Sequence, residues 1–330
     1  MTKPVQNGPS VSVLIDNFNY GRFLGAAIEG VLAQSYPARE IVICDDGSTD
    51  GSCQVAEGYA ARYGHVKLVR KANGGQASAF NAAFAASTGE IVCLLDSDDV
   101  WFPGKIARVV ETFASRPEAG WQRHKVRCTD GSLTPLDAVL PEYRGSRVQG
   151  DDRYAHLEKT LTFVTSAVSL RRGLALRLFP IPEGAFRKGA DLYLDFMCGV
   201  LGASGYSLDE ELCFYRRHPA QVSQAGGDFE AALAGEIAMT RAFLSVETCQ
   251  GYVPTHLYKH QMIAAYLRSG HIFDGRRLRL GAAGLASATR LAKAGRTPLA
   301  LLQLIKLIYG FLLPRFWIRR QLRLNAWGGA

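Results

Sequence analysis

Ile91-Val92-Cys93-Leu94-Leu95-Asp96-Ser97-Asp98-Asp99 is an apolar run that stops abruptly in a cluster of carboxylates. Apolar residues bounded by polar ones read as a buried strand, and in an open parallel sheet the carboxyl ends of the strands face the ligand crevice. Asp96, Ser97 and Asp98 are therefore expected in that crevice. Clustered carboxylates need a cation. Two of them with little else suit Mg²⁺ or Mn²⁺ shared with a substrate's phosphates better than a closed protein cage. Alone, the stretch could equally be a solvated Asp-rich loop capping the helix that starts near Pro103, so the rest of the chain must decide.

Upstream, Val11-Ser12-Val13-Leu14-Ile15 reads as a first strand running into Asp16-Asn17-Phe18-Asn19-Tyr20, and Phe23, Leu24, Ala27, Ile28, Val31 and Leu32 recur at helical spacing until Tyr36-Pro37. No Gly-x-Gly-x-x-Gly follows the strand, which argues against dinucleotide binding. A second strand, Glu40 to Cys44, enters Asp45-Asp46-Gly47-Ser48-Thr49-Asp50, where Gly47 suits a tight turn and Ser48, Thr49 or Asp50 can cap the next helix. Val66 to Val69 is a third strand, followed by Asn73-Gly74-Gly75 and a small-residue helix from about Gln76 to Ser87. Strands starting near 11, 40, 66 and 90 alternate with helices, the signature of an α/β fold with a mostly parallel sheet and helices on both faces.

Between about Arg116 and Lys159 the pattern fails and no element can be placed. Leu161 to Leu170 reads as a long strand or strand pair, Ala190-Asp191-Leu192 opens a helix that continues to Leu201, and Ser207-Leu208 and Leu212 to Tyr215 read as late strands. The last of these ends in Arg216-Arg217-His218-Pro219. Beyond about Phe229 the chain reads as helical.

The 330 residues are 48% hydrophobic, enough for one large core with an appendage. The 7 cysteines form no Cys-x-x-Cys pair and several sit in apolar runs, which fits a reduced cytosol; the first residues carry no apolar signal core. Residues 251–330 hold thirteen Lys and Arg against Asp274 alone, whereas the whole chain is +8, so the basicity belongs to the tail. Basicity confined to a tail argues for a membrane or phosphate partner there and against nucleic acid.

Taken together, the opening strand, Asp45 to Asp50, the block from Asn73-Gly74-Gly75 to Gly89-Glu90, and Asp96-Ser97-Asp98-Asp99 resemble the inverting family 2 glycosyltransferases of the GT-A fold over roughly residues 9–224. Ala190-Asp191-Leu192 is similar to the family's acidic motif, with Ala190 where a Glu is usual, and Tyr215-Arg216-Arg217-His218-Pro219 is similar to its closing motif. The resemblance implies a nucleotide-diphosphate sugar donor, UDP-linked, with Asp45 or Asp46 at the base or ribose and Ile15 and Asp16 beside it. Asp98 is then the direct metal ligand, and Asp96 contacts the ribose, or the metal through water. His218 completes the metal shell or binds the diphosphate with Arg216 and Arg217. Asp191 is the general base for a saccharide or lipid-linked acceptor in cell-surface polysaccharide biosynthesis, although a carboxylate at a helix start also stabilises the helix dipole. Trp101 and Tyr20 read as core or wall residues as readily as sugar or base platforms.

Two other readings compete. A sugar-nucleotide nucleotidyltransferase would carry a Gly-rich basic loop after the first strand, but residues 16–20 contain no Gly, Lys or Arg. A non-catalytic saccharide-binding scaffold on the same fold draws some support from Ala190. The expected organisation is a GT-A domain over residues 1–228 and a basic helical region over 229–330. Residues 297–330 are expected to lie peripherally on the cytoplasmic face of the cell membrane, because apolar residues are followed by Arg315, Arg319, Arg320 and Arg323 with Trp317 and Trp327 nearby. Packing of that helical face on the domain or in a homo-oligomer is the competing arrangement.

Overall fold

Strand β1 (Val11–Asn17) lies between β2 (Glu40–Asp45) and β4 (Ile91–Asp96), with β3 (Val66–Arg70) outside β2, and all of these pairings are parallel. The structure, a computed structural model, describes residues 8–141, 147–149, 163–184, 186–219, 221, 275–293, 300–301, 304–305 and 307–308. Valine, isoleucine and leucine fill β1, β2 and β4 because both sheet faces are covered there, so these runs are continuously apolar rather than alternating, whereas β3 at the edge is only partly buried. Val11, Val13, Ile15, Ile91, Cys93 and Leu95 pack on α1 (Gly21–Leu32), α2 (Ser52–Arg62) and α4 (Lys105–Ser115), while α3 (Gln76–Ala85) covers the opposite face of β1 and β2. Alternation therefore turns Asp16 and Asp96 toward the α3 side.

The sheet continues as β4-β9-β6-β10-β5, built from β5 (Val100–Trp101), β6 (Trp121–Thr129), β9 (Val168–Arg171) and β10 (Gly205–Arg216); β7 (Pro135–Leu140) pairs with β6, and β8 (Arg147–Gln149) with β10. β9 is antiparallel to both neighbours, β4 and β6, and β6 pairs with β10 in parallel. The stretch where no element could be placed thus contains β6, β7 and β8. What reads as a long strand from Leu161 is, in the described residues, a 3-10 turn at Thr165–Ala167 followed by β9 and a helix α5 (Arg172–Leu178). The two late strands are one. Asp209, Glu210 and Glu211 interrupt its apolar pattern, but each meets a cation, in Lys125, Arg108 and Arg127, and two register shifts absorb the irregularity. Helix α6 (Ala190–Val200) precedes β10.

The chain divides into two compact units, residues 1–152 with 161–218 and residues 153–160 with 219–330. The boundary read from the sequence, at 228/229, lies outside the described residues. In the second unit, α7 (Gly275–Lys293) buries Ala288, and a Cβ on Gly284 would meet Leu307 Cδ2 at 2.5 Å, so a larger residue there would force that side chain to move. Leu278 and Leu285 of α7, with Leu301, Ile305 and Ile308, are exposed. No helix among the described residues is long and apolar enough to cross a membrane.

The amino ends of the parallel strands are tied by Glu40. One of its oxygens accepts from Ser12 Oγ at 2.6 Å and from Thr88 N at 2.5 Å, and the other from Lys67 Nζ at 2.6 Å. Burial raises its pKa, but these donors outweigh burial and hold it at about 2, below the ordinary 4.5. A carboxyl whose folded pKa is depressed adds stability above its unfolded pKa and loses it as pH falls through the folded value. Glu40→Gln should therefore destabilise the fold by about 2–3 kcal/mol at neutral pH. In urea melts, that difference should shrink as pH is lowered from about 4.5 to about 2. A deficit independent of pH would show that the charge of Glu40 does not hold this edge.

Candidate active site

The β1/β4 register sets Asp16 directly opposite Asp96, and the β1/β2 register sets Asn17 opposite Asp45. Crowding follows at once. Ligand oxygens of Asp96, Asp98 and Asp99 lie within 4.8 Å of one another. Removal from water, opposed by a hydrogen bond to Asp96 and reinforced by the charge of Asp98, pushes the Asp16 carboxyl up to about 7. Burial, then the charges of Asp16 and Asp98, pushes Asp96 well above the usual carboxylate range. Two facing carboxyls in this state share a proton until a cation relieves the repulsion.

The neighbouring acids divide into engaged and open groups. Asp99 is fully buried, accepting from Ser166 Oγ at 2.6 Å and from the Arg216 N–H at 3.0 Å, so it ties the end of β4 to the 3-10 turn and to β10. Asp45 accepts from the Ser48 N–H at 2.9 Å and from Asn17 Nδ2 at 2.9 Å; burial raises its pKa, but these donors prevail and lower it. Asp46 gathers Lys71 Nζ at 2.7 Å and the N–H groups of Gly74 and Gly75 at 2.9 and 2.7 Å. Both Gly47, at φ 79°, and Gly75, at φ 90°, occupy left-handed backbone, and a Cβ on Gly75 would meet Arg187 O at 2.5 Å. Asp45 and Asp46 thus shape the turns beside the crevice.

Asp98 points instead at His218, whose Nε2 lies 3.0 Å from Asp98 Oδ2. His218 is buried against Tyr20 and Phe23, with ring centroids 5.2 and 4.7 Å away, and among the described residues neither its Nδ1 nor Asp16 Oδ1 has a hydrogen-bond partner. Carboxylate oxygens from Asp96 and Asp98, an imidazole nitrogen beside them and an unpartnered Asp16 oxygen form a donor set that fits Mg²⁺ or Mn²⁺. Arg216 stacks its guanidinium over Phe23 at 4.7 Å and donates to Gly131 O at 3.0 Å. Arg217 is exposed, and its side chain reaches the Cys128 thiol rather than the carboxylates. Ile15 lies wholly in the core, directly preceding Asp16 in β1. Trp101 is a core residue whose Nε1 donates to Ser166 O at 2.8 Å.

Asp191 sits in the first turn of α6, after Gly189 in left-handed backbone. Burial pushes it up to about 6, opposed by the Leu192 N–H and the Thr165 hydroxyl and reinforced by Asp195. Sequence reasoning missed Gln76, whose side chain spans the crevice. Its Nε2 donates to Asp96 Oδ1 at 2.9 Å, and its Oε1 accepts from the Gly189 and Ala190 N–H groups at 3.1 and 2.9 Å. The only signal for it was a polar residue directly after Gly74-Gly75, which reads as an ordinary helix start.

A family model described as Glycosyl transferase family 2 matches residues 12–177. An uncharacterized glycosyltransferase of Nostoc sp., alr2836, is 36% identical over 243 residues, covering 71% of this chain and 74% of that protein. The putative teichuronic acid biosynthesis glycosyltransferase TuaG of Bacillus subtilis is 34% identical over 134 residues, which cover 40% of this chain and 52% of TuaG. Among solved structures, S. aureus TarS 1–349 in complex with UDP-GlcNAc superposes with a TM-score of 0.58 at 16% identity, covering 94% of this chain and 92% of that one. That likeness speaks for the fold. With its parallel strand ends, its carboxylate crevice and these matches, the chain belongs to glycosyl transferase family 2 and is a glycosyltransferase of the GT-A fold.

Proposed function

We propose that the protein transfers a sugar from a UDP-sugar to a hydroxyl of a saccharide or lipid-linked acceptor, with inversion, in polysaccharide biosynthesis. The observation that carries this reading is the pairing of an acidic crevice at Asp16, Asp96 and Asp98 with a separate carboxyl, Asp191, raised to about 6 on the facing helix. The name of TuaG and the UDP-GlcNAc held by TarS support the choice of substrates. In this reading Asp16, Asp96 and the Asp45-Asp46 turns receive the nucleoside and ribose, while Arg216 lends charge toward the diphosphate from its place on Phe23. Arg217, which points elsewhere, would need to swing in to do the same.

A divalent cation would be held by Asp98, with Asp96 and His218 completing its shell. When bound, it supplies positive charge beside the departing diphosphate. Asp191 takes the proton from the acceptor hydroxyl as that oxygen attacks the anomeric carbon. The bond from that carbon to the diphosphate oxygen breaks on the opposite face, and its electron pair leaves with the nucleoside diphosphate. One base suffices for inversion. Asp191 must be ionised to act, so kcat/KM should rise with pH through about 6 and level above it.

The test is a screen of UDP-glucose, UDP-galactose, UDP-GlcNAc and GDP-mannose with Mn²⁺, reading release of nucleoside diphosphate and repeated in EDTA. A UDP-sugar should be turned over only with the metal present. Asp191→Asn should lower turnover by roughly 10²–10⁴ while donor affinity holds. Binding without turnover in the wild type would mark a saccharide-binding protein, and full activity of Asp191→Asn would remove the base from the mechanism.

We further propose that residues 1–228 form the catalytic domain and that the basic region, 229–330, rests on the cytoplasmic face of the membrane. Most of residues 297–330 lie outside the described residues. Exposed Leu278, Leu285, Leu301, Ile305 and Ile308, within residues 251–330 where thirteen Lys and Arg stand against one acid, support a surface that meets anionic lipid. Each basic residue near such a surface contributes about 1 kcal/mol. The full chain should float with phosphatidylcholine vesicles containing phosphatidylglycerol at low salt, and Ile305→Glu with Ile308→Glu should weaken flotation severalfold. Equal flotation of that variant, or none of the wild type, would leave the exposed face to a second copy of the chain.

A further inference from the structure

Gln76 is held at both ends. Its own N–H donates to Arg187 O at 2.8 Å, so its backbone is pinned to the loop before α6. Its side-chain oxygen receives the Gly189 and Ala190 N–H groups at 3.1 and 2.9 Å, donors that a helix start leaves without intrahelical partners. With the oxygen so engaged, the amide nitrogen must face the other way. It reaches Asp96 Oδ1 at 2.9 Å and, more weakly, Thr165 Oγ1 at 3.5 Å. Thr165 in turn hydrogen-bonds to the Asp191 carboxylate. One side chain therefore touches the strand-end carboxylate, the amide groups that begin the Asp191 helix, and the hydroxyl that contacts Asp191.

Only a primary amide of this length fits both demands. A carboxylate could accept from the two N–H groups but would turn a second oxygen toward Asp96, replacing attraction with repulsion. Asparagine is one methylene too short to span the same two partners. Methionine matches the volume and offers neither a donor nor a strong acceptor.

We infer that Gln76 is a positioning residue that couples the donor-side carboxylate Asp96 to the helix carrying Asp191, so that filling the nucleotide site fixes the base. The inference rests on the roles assigned above to Asp96 and Asp191. It adds to them a route by which the two halves of the site sense each other. An amide held at both ends resists rotation, so a ligand that orders Asp96 also orders the start of α6, and acceptor and donor are aligned in one step.

The alternative is that Gln76 merely caps α6, and two substitutions in the full-length protein separate the cases. Gln76→Glu keeps the cap and loses the donor end, whereas Gln76→Met loses both. Hydrogen exchange is followed by mass spectrometry on the peptide spanning residues 186–195, with and without UDP and Mn²⁺, each variant being saturated according to its own UDP affinity measured by calorimetry. In the wild type, UDP should slow exchange at Gly189–Leu192 severalfold. That protection should vanish in both variants, while exchange without UDP stays near wild type for Gln76→Glu and rises for Gln76→Met. Turnover of the UDP-sugar should fall tenfold or more in both variants, with its KM shifting less. Should Gln76→Glu keep both the UDP-induced protection and wild-type turnover, the residue is only a cap and the coupling is wrong. Persistence of the protection in Gln76→Met would overturn it as well. Failure of UDP to bind the wild type is a different result, since it removes the donor site itself and the coupling with it.

Discussion

Repulsion among carboxylates governs this molecule's crevice. The parallel register of β1 and β4 leaves Asp16 and Asp96 no choice but to face each other, and the turn after β4 adds Asp98 and Asp99 within a few residues. Burial pushes Asp16, Asp96 and Asp99 all upward, and the neighbouring carboxylates add to the shift, because like charges at such separations in a poorly hydrated site cannot all ionise. The surroundings supply compensation in a graded way. Asp99 is given two donors and becomes a structural strut; Asp96 is given one, from Gln76, beside its hydrogen bond with Asp16; among the described residues one Asp16 oxygen has none. The deficit is greatest at Asp16, beside the carboxylates to which the proposed function assigns the donor.

The same gradation separates residues that shape the site from residues left open to a ligand. Asp45 and Asp46 are as acidic in sequence as Asp96 and Asp98, yet their oxygens are committed to Ser48, Asn17, Lys71, Gly74 and Gly75. A carboxylate accepting several N–H bonds is already stabilised in its charged form and holds a loop in place, though lone pairs remain for a further donor. Asp98 and His218 instead face each other across 3.0 Å, with His218 held by aromatic rings and by few polar contacts. Such a pair is ordered without being saturated.

The parallel half of the fold was legible because its physics is local. Runs such as Val11 to Ile15 and Ile91 to Leu95 are buried on both faces, so composition alone marks them, and the acids that follow mark their carboxyl ends. In the other half the helix from Ala190 and parts of β10 were legible, but β6, β7 and β8 were not, because their pattern depends on partners distant in sequence. β6 reads Trp-Gln-Arg-His-Lys, which resembles a surface loop, yet Gln122, Arg123 and His124 are buried. Lys105 is buried beneath it, its ammonium 3.4 Å from the Trp101 ring centre and 3.3 Å from Ser169 Oγ. Burial, and then the nearby Lys105 charge, lower His124 to about 3, so it stays neutral inside the protein. Within the site, the candidate residues that stand at strand ends could be found from spacing, whereas Gln76, Thr165 and Ser166 could not, because each makes a contact between segments some 65 to 115 residues apart.

If Asp191 is the base, as proposed, its position at a helix start rather than among the strand ends has a physical rationale. The amino end of α6 favours negative charge, which by itself would leave a carboxylate too weakly basic to take a hydroxyl proton. Burial opposes this and, with Asp195, lifts the group to about 6, where it is ionised near neutrality yet still basic enough to assist. Had the same carboxyl been placed beside Asp16 and Asp96, repulsion would have raised it further and a bound cation would then have drawn it into coordination. In the proposed mechanism the separate helix keeps the base out of the cation's coordination, and the one neutral amide of Gln76 bridges from Asp96 to the start of that helix.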